Sequence, residues 1–292
     1  MIGLEVLVGT LFQGALMGLV YASIALGFNL VYRVSKSINF AHPAVILLVG
    51  YVALLVSMKY GVVEGLLASL LVAAVSGLIL ERSLARPLIG KPPAALIGAT
   101  LGAYYVIRGV TYIIGKFQAA SLPIEAKYYE LGILSISNND ILSLAVTGFI
   151  LAGIILMHEK TKIGSAIRAV AEDAEGAAGY GLPVGRLITL SWIIAGVTGA
   201  FGGLAIAIKA QVSPAIEFYA IKALAASILA GLDSIGGIIV GGLALGLIEQ
   251  FSRILLEPYL PGIGGHIAFI FLLLILLVKP YGIFGTERIE RI

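Results

Sequence analysis

The sequence predicts an all-α fold: a polytopic transmembrane helical bundle forming one membrane-spanning domain over residues 1–292. Three observations predict it. Hydrophobic residues make up 60% of the chain and charged residues only 12%, where soluble domains carry about 25% charged residues. The mean hydropathy of +1.06 leaves no polar shell for a soluble core of this size. Apolar runs also recur along the chain at the length a bilayer demands, roughly 20 helical residues for a hydrocarbon core about 30 Å thick.

The first predicted span covers residues 7–32. Gly14, Gly18 and Gly27 lie within it, and small residues let neighbouring helix backbones approach closely. No basic residue precedes Arg33, so this span is expected to stay as an anchor rather than leave as a signal peptide. Pro43 then interrupts helix periodicity. Spans over 44–58 and 61–80 follow, then a basic, Pro-rich connector over 81–93. The fourth span, 94–114, contains Arg108. The polar segment 116–139 is read as an external connector, with short strands expected in 122–125 and 128–137. Spans over 141–157 and 187–208 flank the most charge-dense segment of the chain, 158–186. Beyond Lys209 come an apolar run over 218–232, a Gly-rich span over 238–251, a last span over 266–278 and a charged tail over 279–292. The 218–232 run has 15 residues, which make about 22 Å of helix and fall short of a full crossing. The chain therefore has eight or nine spans, with broken or re-entrant helices.

Charge fixes the expected orientation. Of the 19 Lys and Arg residues, 12 fall on the side of the 158–186 segment, 5 fall on the opposite side, and Arg108 and Lys222 lie within spans. This bias puts 158–186 and the C-terminus in the cytoplasm and the N-terminus outside. An odd number of crossings is then needed. Nine results if 218–232 crosses, and eight if it only re-enters.

Ionisable groups at membrane depth are costly and are read first as functional. Arg108 lies near the outer end of its span, where it can snorkel. Glu249 and Arg253 are spaced for an i,i+4 pair on one helix face. Lys222 is expected near the outer interface, and Asp233 in a water-facing break. Irregular backbone in a membrane is tolerated only inside protein or along a water-filled cavity, and transporters use broken helices where substrate passes. The breaks at 38–42 and 233–237 therefore nominate Asn29, Asn39, His42 and Asp233 for the translocation path. The competing reading is ordinary helix–helix turns.

Several functions are excluded. The chain has no cysteine, and its three histidines, His42, His158 and His266, are far apart. No metal site and no cofactor are expected. The net charge of +3 fits cytoplasmic bias rather than a nucleic-acid partner. There is no G-x-x-x-x-G-K-[S/T] to cradle a nucleotide phosphate, no H-E-x-x-H and no G-x-S-x-G. The chain is read as a non-enzyme.

Within 158–186, Asp173 suits a helix N-cap, Ala174 to Tyr180 make about two turns, and Gly181 followed by Pro183 ends them. Ala174, Ala177 and Ala178 form a small-residue face. Such a helix either enters a partner's groove or packs on its own domain.

Glu175-x-Ala177-Ala178-x-x-Gly181 resembles the E-A-A-x-x-x-G loop of ABC importer permeases. Ile163-Gly-Ser-Ala-Ile-Arg168-Ala-Val-Ala-Glu172-Asp173 resembles the lead-in of the branched-chain amino acid permeases. Ser37-Ile38-Asn39-Phe40-Ala41-His42, Ala230-Gly-Leu-Asp233-Ser-Ile-Gly-Gly-Ile-Ile-Val-Gly241-Gly242 and Pro280-Tyr-Gly282-Ile-Phe-Gly285 resemble three further segments of that family, in order along the chain. The resemblance is to the shorter of the two paired permeases. Pro43, Asp233 and Lys279 depart from the family's usual residues. Urea and short-amide permeases share the framework. The resemblance implies a permease subunit in the plasma membrane of a prokaryote that imports branched-chain or related hydrophobic amino acids. It would pair with a second homologous permease, bind two ATP-binding subunits on the cytoplasmic side and receive substrate from an external binding protein. Glu172, Asp173, Glu175, Ala177, Ala178 and Gly181 would form the contact with the ATPase. A self-sufficient secondary transporter is the rival class, and it would need a buried coupling carboxylate.

Overall fold

In lipid, a segment must satisfy its own backbone polar groups, so apolar runs of this length become helices. The computed structural model describes residues 3–116 and 119–285. The chain order is α1 (Leu4–Ser35), α2 (His42–Tyr60), α3 (Val62–Leu80), α4 (Pro93–Gly115), β1 (Tyr128–Leu131), β2 (Leu134–Ser137), α5 (Asn138–Lys160), α6 (Lys162–Glu172), α7 (Ala174–Gly179), α8 (Val184–Lys209), α9 (Ile216–Ala230), α10 (Ile235–Leu255) and α11 (Ile263–Val278). Among the described residues, seven helices are long and apolar enough to cross a membrane. α9 and α11 are shorter, with 15 and 16 residues. Arg288 and Arg291 of the tail lie outside the described residues.

The helices alternate in direction. One end of the bundle carries the antiparallel β1–β2 hairpin, and the other carries α6 and α7. At the hairpin end, Lys209 of α8 bonds Asp140 of α5 and Gln13 of α1, and Ala120 pairs with Val212. Strand structure starts at Tyr128, so the expected strand at 122–125 is replaced by irregular chain. Asp140 and Ser137 form a reciprocal capping box at the start of α5, turning the hairpin into the helix.

α1 is the central helix, and its residues 20–31 are all buried. It packs antiparallel on α10 through glycine. A Cβ on Gly18 would stand 2.6 Å from the Leu243 Cα, and one on Gly246 2.4 Å from the Gly14 carbonyl oxygen. Small residues are what let two membrane helices approach this closely. By contrast, α4 leaves most of its surface outside the bundle.

Two segments differ from expectation. The connector at 81–93 stays helical as far as Leu88, through a π-helical turn at Glu81–Ala85 and a 3₁₀ turn at Arg86–Leu88. A wider turn just before Pro87 accommodates a residue that cannot donate to the preceding carbonyls. Arg86 holds the turn by pairing with Glu81 at 3.0 Å. Residues 162–172, to which the sequence assigns no element, form the helix α6.

Candidate functional site

At the loop end, α6 and α7 make a bracket across the bundle. Thr161 caps α6 by accepting from the Gly164 amide at 3.1 Å. Gly164 is required there, because a Cβ would lie 2.3 Å from the carbonyl oxygens of Met157 and His158. The inward face of α6 supplies Ile167 and Val170 to a small apolar cluster with Ala177 of α7 and Leu187 of α8. The Lys36 ammonium, just past the end of α1, donates to the Ala171 carbonyl at 2.6 Å. A cation at the last turn of a helix complements its dipole.

Asp173 caps α7 as its residue type predicts, accepting from the Gly176 amide at 2.9 Å. The end of α7 is a Schellman motif. Leu182 donates to the Ala177 carbonyl at 3.1 Å and Gly181 to the Ala178 carbonyl at 2.9 Å. Gly181 has φ +81°, a conformation that suits glycine. Glu172, Asp173, Ala174, Glu175, Ala178 and Gly181 are exposed, and so is Tyr180, at 93%. Ala177 is not with them. It is 5% exposed and belongs to the cluster beneath. The three-alanine face thus divides, with Ala177 gripping the bundle, Ala178 exposed and Ala174 at the rim of a cavity.

The loop end continues into a cavity of about 310 Å³ lined by Lys36, Leu88, Lys91, Leu96, Ala174 and Ile188, among others. Arg33 and Arg168 flank the buried His158 ring, at 3.0 Å and 3.5 Å.

The four residues nominated for a path are placed differently. Asn29 is fully buried and ties down the break between α9 and α10. Its Nδ2 donates to the carbonyls of Gly231 and Ser234 at 3.2 and 3.3 Å, and its Oδ1 accepts from Ser227. Asp233 sits in that same break, half-exposed. Asn39 accepts from the Ala41 amide at 3.1 Å and so shapes the turn into α2. His42 fills a notch between α1 and α8. A Cβ on Gly27 or Gly199 would lie 2.6 or 2.4 Å from its ring, and Phe28 meets it edge-on at 4.7 Å. Asn29, Asn39 and His42 are thus interior helix-packing groups in this conformation.

The structure also joins segments that sequence left apart. Ile283 and Phe284 donate to the carbonyls of Leu229 and Ala230 at 2.8 and 3.0 Å. The 280–285 segment therefore seals the α9–α10 break from below.

Deeper in the bundle, Glu249 gathers three partners. It accepts from Tyr21 at 2.5 Å, from Lys222 at 2.7 Å and from Arg253 at 2.7 Å. The Arg253 contact is the i,i+4 pair expected from spacing. Lys222 was expected near the interface but is 6% exposed and buried against Glu249, because α9 begins below the hairpin end. Arg108, expected to snorkel alone, pairs with Glu217 at 3.1 Å. Among the described residues, no group of three or more His, Asp or Glu is placed to hold a metal ion.

Residues 10–278 match the family model for the permease component of branched-chain amino acid transport systems. The chain belongs to this family. The high-affinity branched-chain amino acid transport permease BraD of Pseudomonas aeruginosa is 28% identical, over 97% of both chains. The probable branched-chain amino acid permease LivH of Methanocaldococcus jannaschii is 30% identical over 90% of this chain and 88% of its own. The bundle also superposes on PsaBC from Streptococcus pneumoniae, solved with a Fab, with a TM-score of 0.55, 13% identity, and coverage of 94% of this chain and 92% of that one. At that identity the likeness extends to the fold alone. As a branched-chain amino acid permease component with these apolar helices, the chain is a multi-pass membrane protein.

Proposed function

We propose that the chain is the membrane-spanning subunit of an ATP-driven importer, carrying branched-chain or related hydrophobic amino acids into the cytoplasm. A second permease pairs with it, two ATPase subunits bind from the cytoplasm, and an external protein delivers substrate. The loop end is cytoplasmic in this reading, which the excess of Lys and Arg there supports. ATP hydrolysis occurs on the partners, and this chain supplies the route and the coupling element.

The observation that carries the reading is the divided face of α7. The helix is fixed from beneath by Ala177 and its Schellman turn, and α6 before it by the Lys36 bond to the Ala171 carbonyl. It offers Glu175, Ala178 and Tyr180 to a partner. A movement of the partner is passed through α6 to the ends of α1 and α5 instead of being absorbed in a loose loop. Exposed tyrosine is a common energetic centre of protein interfaces.

Uptake tests the function. The complex, reconstituted with its ATPases and binding protein, is offered labelled leucine and labelled urea. ATP-dependent leucine uptake supports the reading. Uptake of urea alone moves the cargo to the amide class, and uptake by the isolated chain without ATPase supports a secondary transporter.

A further inference from the structure

We infer that Arg108 is a carboxylate-binding group on the amino-acid route at the hairpin end, held edge-outward by Glu217, Tyr104 and Tyr112. This rests on the importer reading and adds the chemical class of ligand recognised by the membrane subunit itself: a free α-amino acid in its zwitterionic form.

Glu217 is the second residue of α9. Its side chain is 6% exposed. One oxygen accepts from the Tyr104 hydroxyl at 2.5 Å and the other from Arg108 Nε at 3.1 Å. Arg108 Nε also meets the Tyr112 hydroxyl at 2.8 Å. The rings of Tyr112 and Tyr104 flank the guanidinium, 5.0 and 5.8 Å from its central carbon. The one Nε–H of the guanidinium is therefore shared between two acceptors. The end of the guanidinium, with both Nη groups, has no hydrogen-bond partner among the described residues, and the side chain is 37% exposed.

Depth makes this end informative. Arg108 is seven residues before Gly115, the end of α4, or about 10 Å along the helix axis. Around it α4 is open and apolar, with Tyr105, Val106 and Val110 exposed. Free N–H groups of a cation at membrane depth need an acceptor. A guanidinium fork matches a carboxylate in a two-pronged contact. Arg108 and Glu217 already cancel in charge, so a simple anion would leave the site net negative. A zwitterion keeps it neutral. Urea has no carboxylate to offer.

The test uses the assembled complex in liposomes and phenylglyoxal, which modifies arginine. Modification of Arg108 is followed by peptide mass analysis, with Arg253 as the internal reference. Leucine is expected to slow modification of Arg108, and leucinamide, which lacks the carboxylate, is expected to leave it unchanged. Arg108→Gln is expected to assemble with its partners and to lose about tenfold in leucine uptake, the scale of one charge-assisted contact. Equal modification with and without leucine overturns the inference. So does protection that follows lipid composition alone, since Arg108 is then an interfacial lipid contact. If Arg108→Gln fails to assemble, the protection measurement on the unaltered complex decides. A wild-type complex that imports urea and not leucine overturns the amino-acid cargo and this inference together. Leucine import with Arg108 unprotected overturns this inference alone.

Discussion

The Tyr21 hydroxyl donates to the Glu249 carboxylate at 2.5 Å, joining the middle of α1 to the last third of α10. Lys222 of α9 meets the same carboxylate at 2.7 Å, so three helices share one buried charge. Removing one partner of a buried pair leaves the other unpaired, which costs about 3–5 kcal/mol. Glu249→Ala is expected to destabilise the purified protein on that scale. Tyr21→Phe removes only one hydrogen bond and is expected to cost about 1–3 kcal/mol. Thermal unfolding in detergent checks both, and equal melting of Glu249→Ala and wild type counts against the cluster as a lock.

The α1–α10 contact depends on absent side chains. Gly246→Val places atoms where the Gly14 carbonyl oxygen stands only 2.4 Å from a Cβ. It is expected to separate the two helices and abolish recovery of folded protein. Gly236→Val, where a Cβ meets nothing within 4 Å, is the control and is expected to fold.

Asn29 holds the α9–α10 break by three hydrogen bonds. Asn29→Ala leaves the carbonyls it served without their donor, costing about 1–3 kcal/mol. Faster hydrogen exchange at Gly231 to Ser234, with little change in α2, is the expected signature.

Glu257 links α10 to α11 by accepting from the amides of Gly262 and Gly264 at 2.8 and 3.0 Å. These amides hold its carboxyl below the usual glutamate range. A depressed folded-state pKa gives stability that is complete above the unfolded value, about 4.3, and is lost as pH falls through the folded one. Exchange of the two amides is therefore expected to be protected at neutral pH and to lose protection in Glu257→Gln.

The spans were legible in the sequence because lipid leaves a long apolar run one option. α7 was legible because Asp173 and Gly181 are local signals, each acting within a few residues of itself. The charge clusters were not. Tyr21 and Glu249 lie 228 positions apart, and nothing near either announces the other. Lys222 resembles an interface lysine until α9 is known to start low. The division of the alanine face was also hidden. Ala174, Ala177 and Ala178 share a helical stripe, and only the cluster of Ile167, Val170 and Leu187 decides which of them faces inward. α6 carries its apolar residues at helical spacing, but in the same residues that carry the family motif.

The coupling role of α7 is tested most directly by co-purifying the ATPase subunits with two tryptophan variants. Ala178 is exposed, so Ala178→Trp leaves the fold intact. Ala177 is buried, so Ala177→Trp disturbs the bracket itself. The expected result is that Ala178→Trp inserts and melts like wild type yet recovers no ATPase and supports no uptake, while Ala177→Trp also loses thermal stability. Normal ATPase recovery with Ala178→Trp would contradict the assignment of α7 as the docking helix.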